Sequence, residues 1–331
     1  MQSTVKNGGA AVKILVIGPR LHSEHAVTGL QTFNTFLART LQDIGHELHY
    51  AIAQPDVSPM ARMQTHALIG CHVFQFPRSG WSKLFKGYDQ IVLSASVLDY
   101  AGILHAAYEI PVIIWTHGQH VCPLQRLDAG DIRGRNATLV AINDGHMEAA
   151  EARGLAGQTV KIDMPAMFAQ RHVQPAEGYC VAVGTIEPRK NYKRVAEFAD
   201  AIGMPCRVYG GGDPRKLPDN LEYRGRVPHH QIPREIAGAD FIIHAAEVEG
   251  DPNALREARQ LGLPILCVDA PYAREVLNPK YTIFLAPGEL PKHEDLDCLR
   301  SLEVRQAIAD DFNAKYSRSA FRETLAGLLA I

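Results

Sequence analysis

The 331-residue chain has almost no charge of one sign to spend: 34 basic side chains stand against 36 acidic ones, a formal net charge of −2. No global positive field exists to hold a polyanion or an acidic membrane by counterion release, so nucleic acid or a membrane surface would have to be met through a local patch. The six cysteines, Cys71, Cys122, Cys180, Cys206, Cys267 and Cys298, include no C-x-x-C pair. That argues against a zinc ribbon, a dithiol redox site or a disulfide framework and leaves packed, reduced thiols. Long hydrophobic runs are missing too. The most apolar long window, Ile91 to Trp115, contains Asp99, His105 and Glu109, and a charge at the bilayer centre costs about 2.5 to 3.5 kcal/mol. The start, MQSTVKNGGAAVKILVIGPR, has Lys6 and Lys13 before the apolar run ILVIG, too short for a signal-peptide core, so a cytoplasmic location is expected.

Several chemistry-bearing motifs are absent as well. The turn after the first apolar run reads GPRLHSEHAVTG and lacks G-x-G-x-x-G, and neither G-x-x-x-x-G-K-[ST] nor G-x-S-x-G occurs, which disfavours a nicotinamide dehydrogenase, a P-loop kinase and a serine hydrolase. The glycines 210 to 212 precede DPRKLPDN, which cannot open a helix. Histidines at H-x-x-H spacing (22/25, 46/49, 117/120) have no H-E-x-x-H context; His49 falls in an expected strand, where i and i+3 point to opposite faces. Neither a metal nor a cofactor is expected.

What is present, at 46% hydrophobic residues and a length of about two domains, is alternation. Apolar runs of strand length (13–18, 46–53, 72–76, 90–95, 111–117, 138–143) alternate with helix-spaced stretches such as 30–41. After a polar, proline-containing stretch at 170–178 a second series follows: 179–184, a helix 192–202, then 206–210, 221–225 and 240–245, a helix 253–261, and 264–269. This predicts an α/β chain of two doubly wound, Rossmann-like domains facing a central cleft, with ligands at the carboxyl ends of the strands.

The most informative stretch is EGDPNALREARQLGLPILCVD (249–269). Asp251, Pro252 and Asn253 are helix-start residues, ALREARQL continues the helix, and Gly262 and Pro264 stop it. Free N–H groups at that start form an anion site able to hold a phosphate or a sugar hydroxyl. Glu249 before the helix and Glu257 one turn inside it could address different parts of one extended ligand.

The run Glu-Gly-x-Pro-Asn-Ala-Leu-x-Glu-Ala, then Gly-x-Pro, resembles the signature of retaining glycosyltransferases of family 4 on the GT-B fold, with two glutamates separated by seven residues. The resemblance implies that Glu257 holds the ribose hydroxyls of a nucleotide and that Glu249 lies against the donor sugar, with Asp251, Pro252, Asn253 and Ala254 at the helix start beside them. Asp251 stands where the family usually has an aromatic residue. VGTIEPRKNYKRV (183–195) is a second match: it implies that Arg189 and Lys190 stabilise the leaving diphosphate, which is electrostatic catalysis, with Thr185 where many members carry arginine. In RGRVPHHQIPREIAGAD (224–240) the resemblance implies that the main chain of Arg226 and Val227 meets the nucleotide base. In the first half, TGLQTFNTFLARTLQDIGHELHY resembles the family's Gly-Gly loop, with Gly29 kept and Leu30 replacing the second glycine. IPVIIWTHG resembles the family's strand ending in His-Gly near the donor sugar, which makes His117 a candidate to bond a sugar hydroxyl or assist the acceptor.

The implied organisation is GT-B: residues 1–172 form an acceptor-side domain, rejoined by a C-terminal helix at 315–331, and residues 173–314 bind the nucleotide sugar. The implied activity is metal-independent transfer from a nucleoside-diphosphate sugar to a hydroxyl-bearing acceptor with retention. A nucleotide-sugar epimerase and a non-catalytic sugar-nucleotide-binding protein are the alternatives. The candidate local patch is FPRSGWSKLFKGYD (76–89), which interleaves Arg78, Lys83 and Lys86 with four aromatics. It suits a lipid interface, a glycan or nucleic acid, unless its aromatics turn into the core.

Overall fold

The structure, a computed structural model, describes residues 11–21, 29–95, 99–117, 127, 129–165, 167–168, 173–250 and 252–329. Two all-parallel sheets organise them. The first runs in the order β3-β2-β1-β4-β5-β6-β7, with β1 Lys13–Gly18, β2 Glu47–Ile52, β3 His72–Gln75, β4 Gln90–Leu93, β5 Val112–Trp115, β6 Ala137–Ala141 and β7 Thr159–Lys161. The second runs β10-β9-β8-β11-β12-β13, with β8 Cys180–Val183, β9 Cys206–Tyr209, β10 Leu221–Gly225, β11 Phe241–His244, β12 Ile265–Val268 and β13 Thr282–Leu285.

The apolar runs become central strands because a parallel sheet is covered on both faces. In β1, Ile14 and Val16 enter one core cluster and Leu15 and Ile17 another, all four fully buried. β8 divides likewise: Val181 packs on one face, Cys180 and Ala182 on the other. Full burial of each such large side chain contributes about 1.5 to 3 kcal/mol.

The helix Gly29–Asp43 covers the first sheet with Phe33, Leu37, Ala38 and Leu41. The final helix, Arg318–Leu329, inserts Phe321, Leu325 and Leu328 into that same core, with the Phe321 ring 5.4 Å from that of Phe36. Before it, the helix Leu302–Tyr316 lies against the helix Asn253–Gln260 of the second unit. The crossover near residue 168 is pinned to that unit by the Gln260 amide, which accepts from the Phe168 N–H at 3.0 Å and donates to its carbonyl at 2.8 Å.

Each sheet reverses its winding beside its first strand, between β1 and β4 and between β8 and β11. Adjacent loops diverge there and leave a crevice at the strands' carboxyl ends. Apolar alternation marks neither of the edge strands β7 and β13. The aromatics of 76–89 turn inward: Phe76 stacks on Trp81 at 5.6 Å and Phe85 is fully buried. The cationic side chains of that stretch reach solvent, with Arg78, Lys83 and Lys86 exposed. Among the described residues no helix is long and apolar enough to cross a membrane.

Candidate active site

The second sheet's switch point builds a cavity of about 480 Å³. Glycines let its walls close: a Cβ on Gly210, after β9, would run into the main-chain oxygen of Gly184, after β8. The chain then makes a short 3-10 turn, Pro188–Lys190, and Asn191, at φ +49°, starts the helix Tyr192–Ala201 by accepting from the Arg194 N–H at 3.3 Å. This turn aims Arg189 and Lys190 at the loop that follows β11.

Glu249 waits in that loop with 9% of its side chain exposed. Arg189 Nη1 donates to its Oε2 at 2.6 Å, and Lys190 Nζ donates to its Oε1. Burial alone would raise this carboxyl; the charge and hydrogen bond of Lys190, with His244 and Arg189, overturn that and hold it below its ordinary value. Arg189 is also paired with Glu187 at 2.7 Å, whose Oε1 accepts from the Thr185 hydroxyl at 2.7 Å. Behind Glu249 sits His244, with Nε2 3.8 Å from Oε1 and no hydrogen bond to it among the described residues. Burial, then the charge of Lys190, pushes His244 down to about 3, so it is neutral at pH 7.

The helix Asn253–Gln260 opens onto the cavity with Pro252 at its N-cap, a residue that offers no side-chain acceptor to the first N–H groups. Glu257, one turn in, accepts from or shares a proton with His229 Nε2 at 2.6 Å. Burial lowers the His229 imidazole, but the charge and hydrogen bond of Glu257 outweigh it and leave it raised. The first domain closes over this helix start. A Cβ on Gly29, the first residue of its own helix, would stand 2.6 Å from Asn253 Nδ2. On the opposite flank Asn143 Nδ2 donates to the Gly250 carbonyl at 2.8 Å. Two helix N-termini, from different domains, thus meet at one place, and both favour negative charge.

Gly29, Thr185, Arg189, Lys190, Arg226, Val227, Glu249, Pro252, Asn253, Ala254 and Glu257 all line this cavity. Asp251 lies outside the described residues. His117 is not in the lining: just beyond β5 it is half-buried, its Nε2 is 3.0 Å from Ser94 Oγ, and its ring sits edge-on to Phe33 at 5.3 Å. Burial, then the charge of His146, pushes it down to about 3. Sequence reasoning did not single out Glu187, His229 or His244. A histidine ending a buried strand, as in FIIH, was the available signal for His244; for His229 only the fold supplies one. Among the described residues no three His, Cys, Asp or Glu side chains gather as a metal site.

Comparison with known proteins agrees with this architecture. Residues 163–297 match the family described as glycosyl transferases group 1. The chain is 24% identical over 159 residues to O-antigen chain mannosyltransferase B of Escherichia coli, a match that takes in 43% of this chain and 40% of that protein's length. In structure it resembles the pneumococcal O-GlcNAc transferase GtfA in complex with UDP and GlcNAc, with a TM-score of 0.73 at 10% identity over 97% and 99% of the two chains. It also resembles a sucrose-phosphate synthase from Thermosynechococcus elongatus, with a TM-score of 0.69 at 12% identity over 96% and 98%. The fold is GT-B.

Proposed function

We propose that this chain, a GT-B fold carrying a group 1 glycosyltransferase domain, transfers a sugar from a nucleoside-diphosphate sugar to a hydroxyl acceptor with retention at the anomeric carbon. The observation that carries the reading is the shared Glu249 carboxylate, held by Arg189 and Lys190 at the start of an open helix N-terminus inside the cavity. That constellation is complementary to a sugar diphosphate. The cations and the free N–H groups near Asn253 meet the phosphates, and Glu249 meets hydroxyls of the sugar. Glu257 exchanges part of its contact with His229 for the ribose, and the main chain at Arg226 and Val227 faces the base.

In the transfer step the bond between the anomeric carbon and the β-phosphate oxygen breaks while the acceptor oxygen bonds to that carbon on the same face. The acceptor's proton passes to the departing phosphate oxygen, and the charge left on the diphosphate is met by Arg189 and Lys190. Both cations are already anchored on one anion, so little reorganisation is required as charge develops. The acceptor would approach from the first domain, where His117 and Gly29 lie. The relatives' names support sugar transfer, and the GtfA complex with UDP supports a nucleotide donor.

The test is a panel of sugar nucleotides offered to the parent, Lys190→Ala and Glu257→Ala, with NMR of the product's anomeric proton. Binding of one donor class, an unchanged anomeric configuration and loss of turnover in both variants are expected. An inverted product removes the retaining step. No sugar-nucleotide binding by the parent, or full turnover in both variants, removes the whole reading.

A further inference from the structure

A second cavity, of about 690 Å³, opens between the outward face of the helix Gly29–Asp43, the start of the helix Arg318–Leu329 and the loop around Pro228 of the second domain. It meets the first cavity along Thr32 and His229, which line both. Its charges are one-sided. Arg39, Arg318 and Arg322 face it together with the imidazoles of His229 and His230, against the single carboxylate of Asp43.

Main-chain carbonyls tether all three guanidiniums. Arg39 donates Nε and Nη2 to the Leu68 oxygen at 3.0 and 2.7 Å, Arg318 donates to the Met167 oxygen, and Arg322 to the Asp43 oxygen. A carbonyl orients a guanidinium without cancelling its charge. Among the described residues neither Arg39 nor Arg322 forms an ion pair. The crowding has a cost: burial, then the charge of Arg39, presses the Arg318 guanidinium below its ordinary value, against the pull of Asp43. An oxyanion in the cavity would relieve that repulsion. The Thr35 hydroxyl is spent on the Gln31 carbonyl at 3.0 Å, but the N–H groups of Arg39 and Arg322 that their carbonyls leave over outnumber what one planar carboxylate accepts and suit the several oxygens of a phosphate.

We propose that this arginine cavity is an anion site for a phosphate group, separate from the site of the donor diphosphate. It spans the first domain, the C-terminal helix and the second domain, so its occupant draws the three together. Because His229 also holds Glu257, occupancy would be felt at the nucleotide, a coupling that rests on the donor reading above; the site itself does not.

Calorimetric titration with inorganic pyrophosphate tests it. Lys190→Ala, which removes a cation of the first cavity, is expected to keep one pyrophosphate site of parental affinity. Adding Arg39→Gln and Arg322→Gln to that variant is expected to weaken this site by about tenfold or more. Arg39→Lys, which keeps the charge, should retain much of it. If Arg39→Gln fails to fold for want of its Leu68 contact, Arg322→Gln alone carries the test, with circular dichroism as the control. Flotation with phosphatidylglycerol vesicles separates the sources. Pyrophosphate binding without vesicle capture assigns a soluble phosphate, and capture lost in the arginine variants assigns a lipid headgroup. Pyrophosphate binding abolished by Lys190→Ala alone, or untouched by the arginine changes, overturns the proposal. A parent that binds pyrophosphate at the arginines but no sugar nucleotide sinks the donor reading and leaves this site standing.

Discussion

The two sheets share a topology and use their switch points differently. At the carboxyl ends of β8 and β11 the chain assembles charge: Glu249 between Arg189 and Lys190, Glu257 against His229, all lining an open cavity. At the ends of β1, β4 and β5 it assembles neutral, buried polarity. There Asn34 donates to the Ser94 carbonyl at 3.1 Å, Ser94 Oγ pairs with His117, and Thr116 Oγ1 lies 2.6 Å from His146 Nδ1. Charges cluster at the second switch point because each ion there is compensated by an opposite one and by access to the cavity. At the first, Asn34, Ser94 and Thr116 are fully buried, where a lone charge would meet its full desolvation cost. One switch point of the pair thus gathers paired charges around a cavity, and the other presents uncharged groups.

Removing a cation from the charged end should give the largest effect. Lys190→Ala is expected to lower turnover of labelled donor by about 10² to 10³, the usual consequence of losing one preorganised charge-stabilising group. His117→Asn should cost far less, and equal losses in the two variants would erase the contrast between the domains.

The next effect is one of pH, and it separates the regions by sign of charge. His117 folds with its value pushed from 6.5 to about 3. The unfolded chain therefore binds the extra proton over that window, and stability is lost as pH falls from 6.5 towards 3, by at most about 1.4 kcal/mol per pH unit for one such group. His117→Asn should flatten that slope in thermal melts read at a series of pH values; an unchanged slope would mean that the strand-end histidine is not held neutral. Glu249 behaves as a carboxylate with a lowered value: its contribution is complete above 4.5 and disappears as pH drops through the folded value. In Glu249→Gln the loss below 4.5 should shrink while the His117 window stays as it was.

Smaller again is the seam between the domains. Asn143 caps its helix by accepting from the His146 N–H at 2.8 Å and also reaches the Gly250 carbonyl. Asn143→Ala should cost about 1 to 2 kcal/mol in denaturant unfolding. The smallest expected change is Gly29→Ala. The new methyl meets the movable end of Asn253, so donor KM should rise by a few-fold with the melting temperature unchanged; no change in KM would mean that the two helix starts need not approach this closely.

Much of this was legible in the linear chain. Ile14 to Ile17 had to be a doubly covered strand, and Pro252-Asn253 followed by ALREARQL had to open a helix, because burial on both faces and helix initiation depend on neighbours within one turn. The edge strands β7 and β13, three and four residues long, carry too short a pattern to stand out. Most of the candidate site could be assembled from motifs, yet its pairings could not. Glu249 finds Arg189 and Lys190 across 60 and 59 residues, and Glu257 finds His229 across 28. Strand order sets those distances, and no local preference encodes it.

By itself, then, the sequence determined the alternating parallel elements, the helix start near Asn253 and the spacing of the two glutamates, all consequences of backbone geometry and side-chain period over a few residues. Only the tertiary structure decided that the Glu249 carboxylate is divided between two cations, that His117 is withdrawn into the first domain beside Ser94, and that the arginines of the first and last helices face one cavity. Each of these depends on how much water a group loses and which distant charge replaces it, and that is settled when the sheets close and the last helix returns to the first.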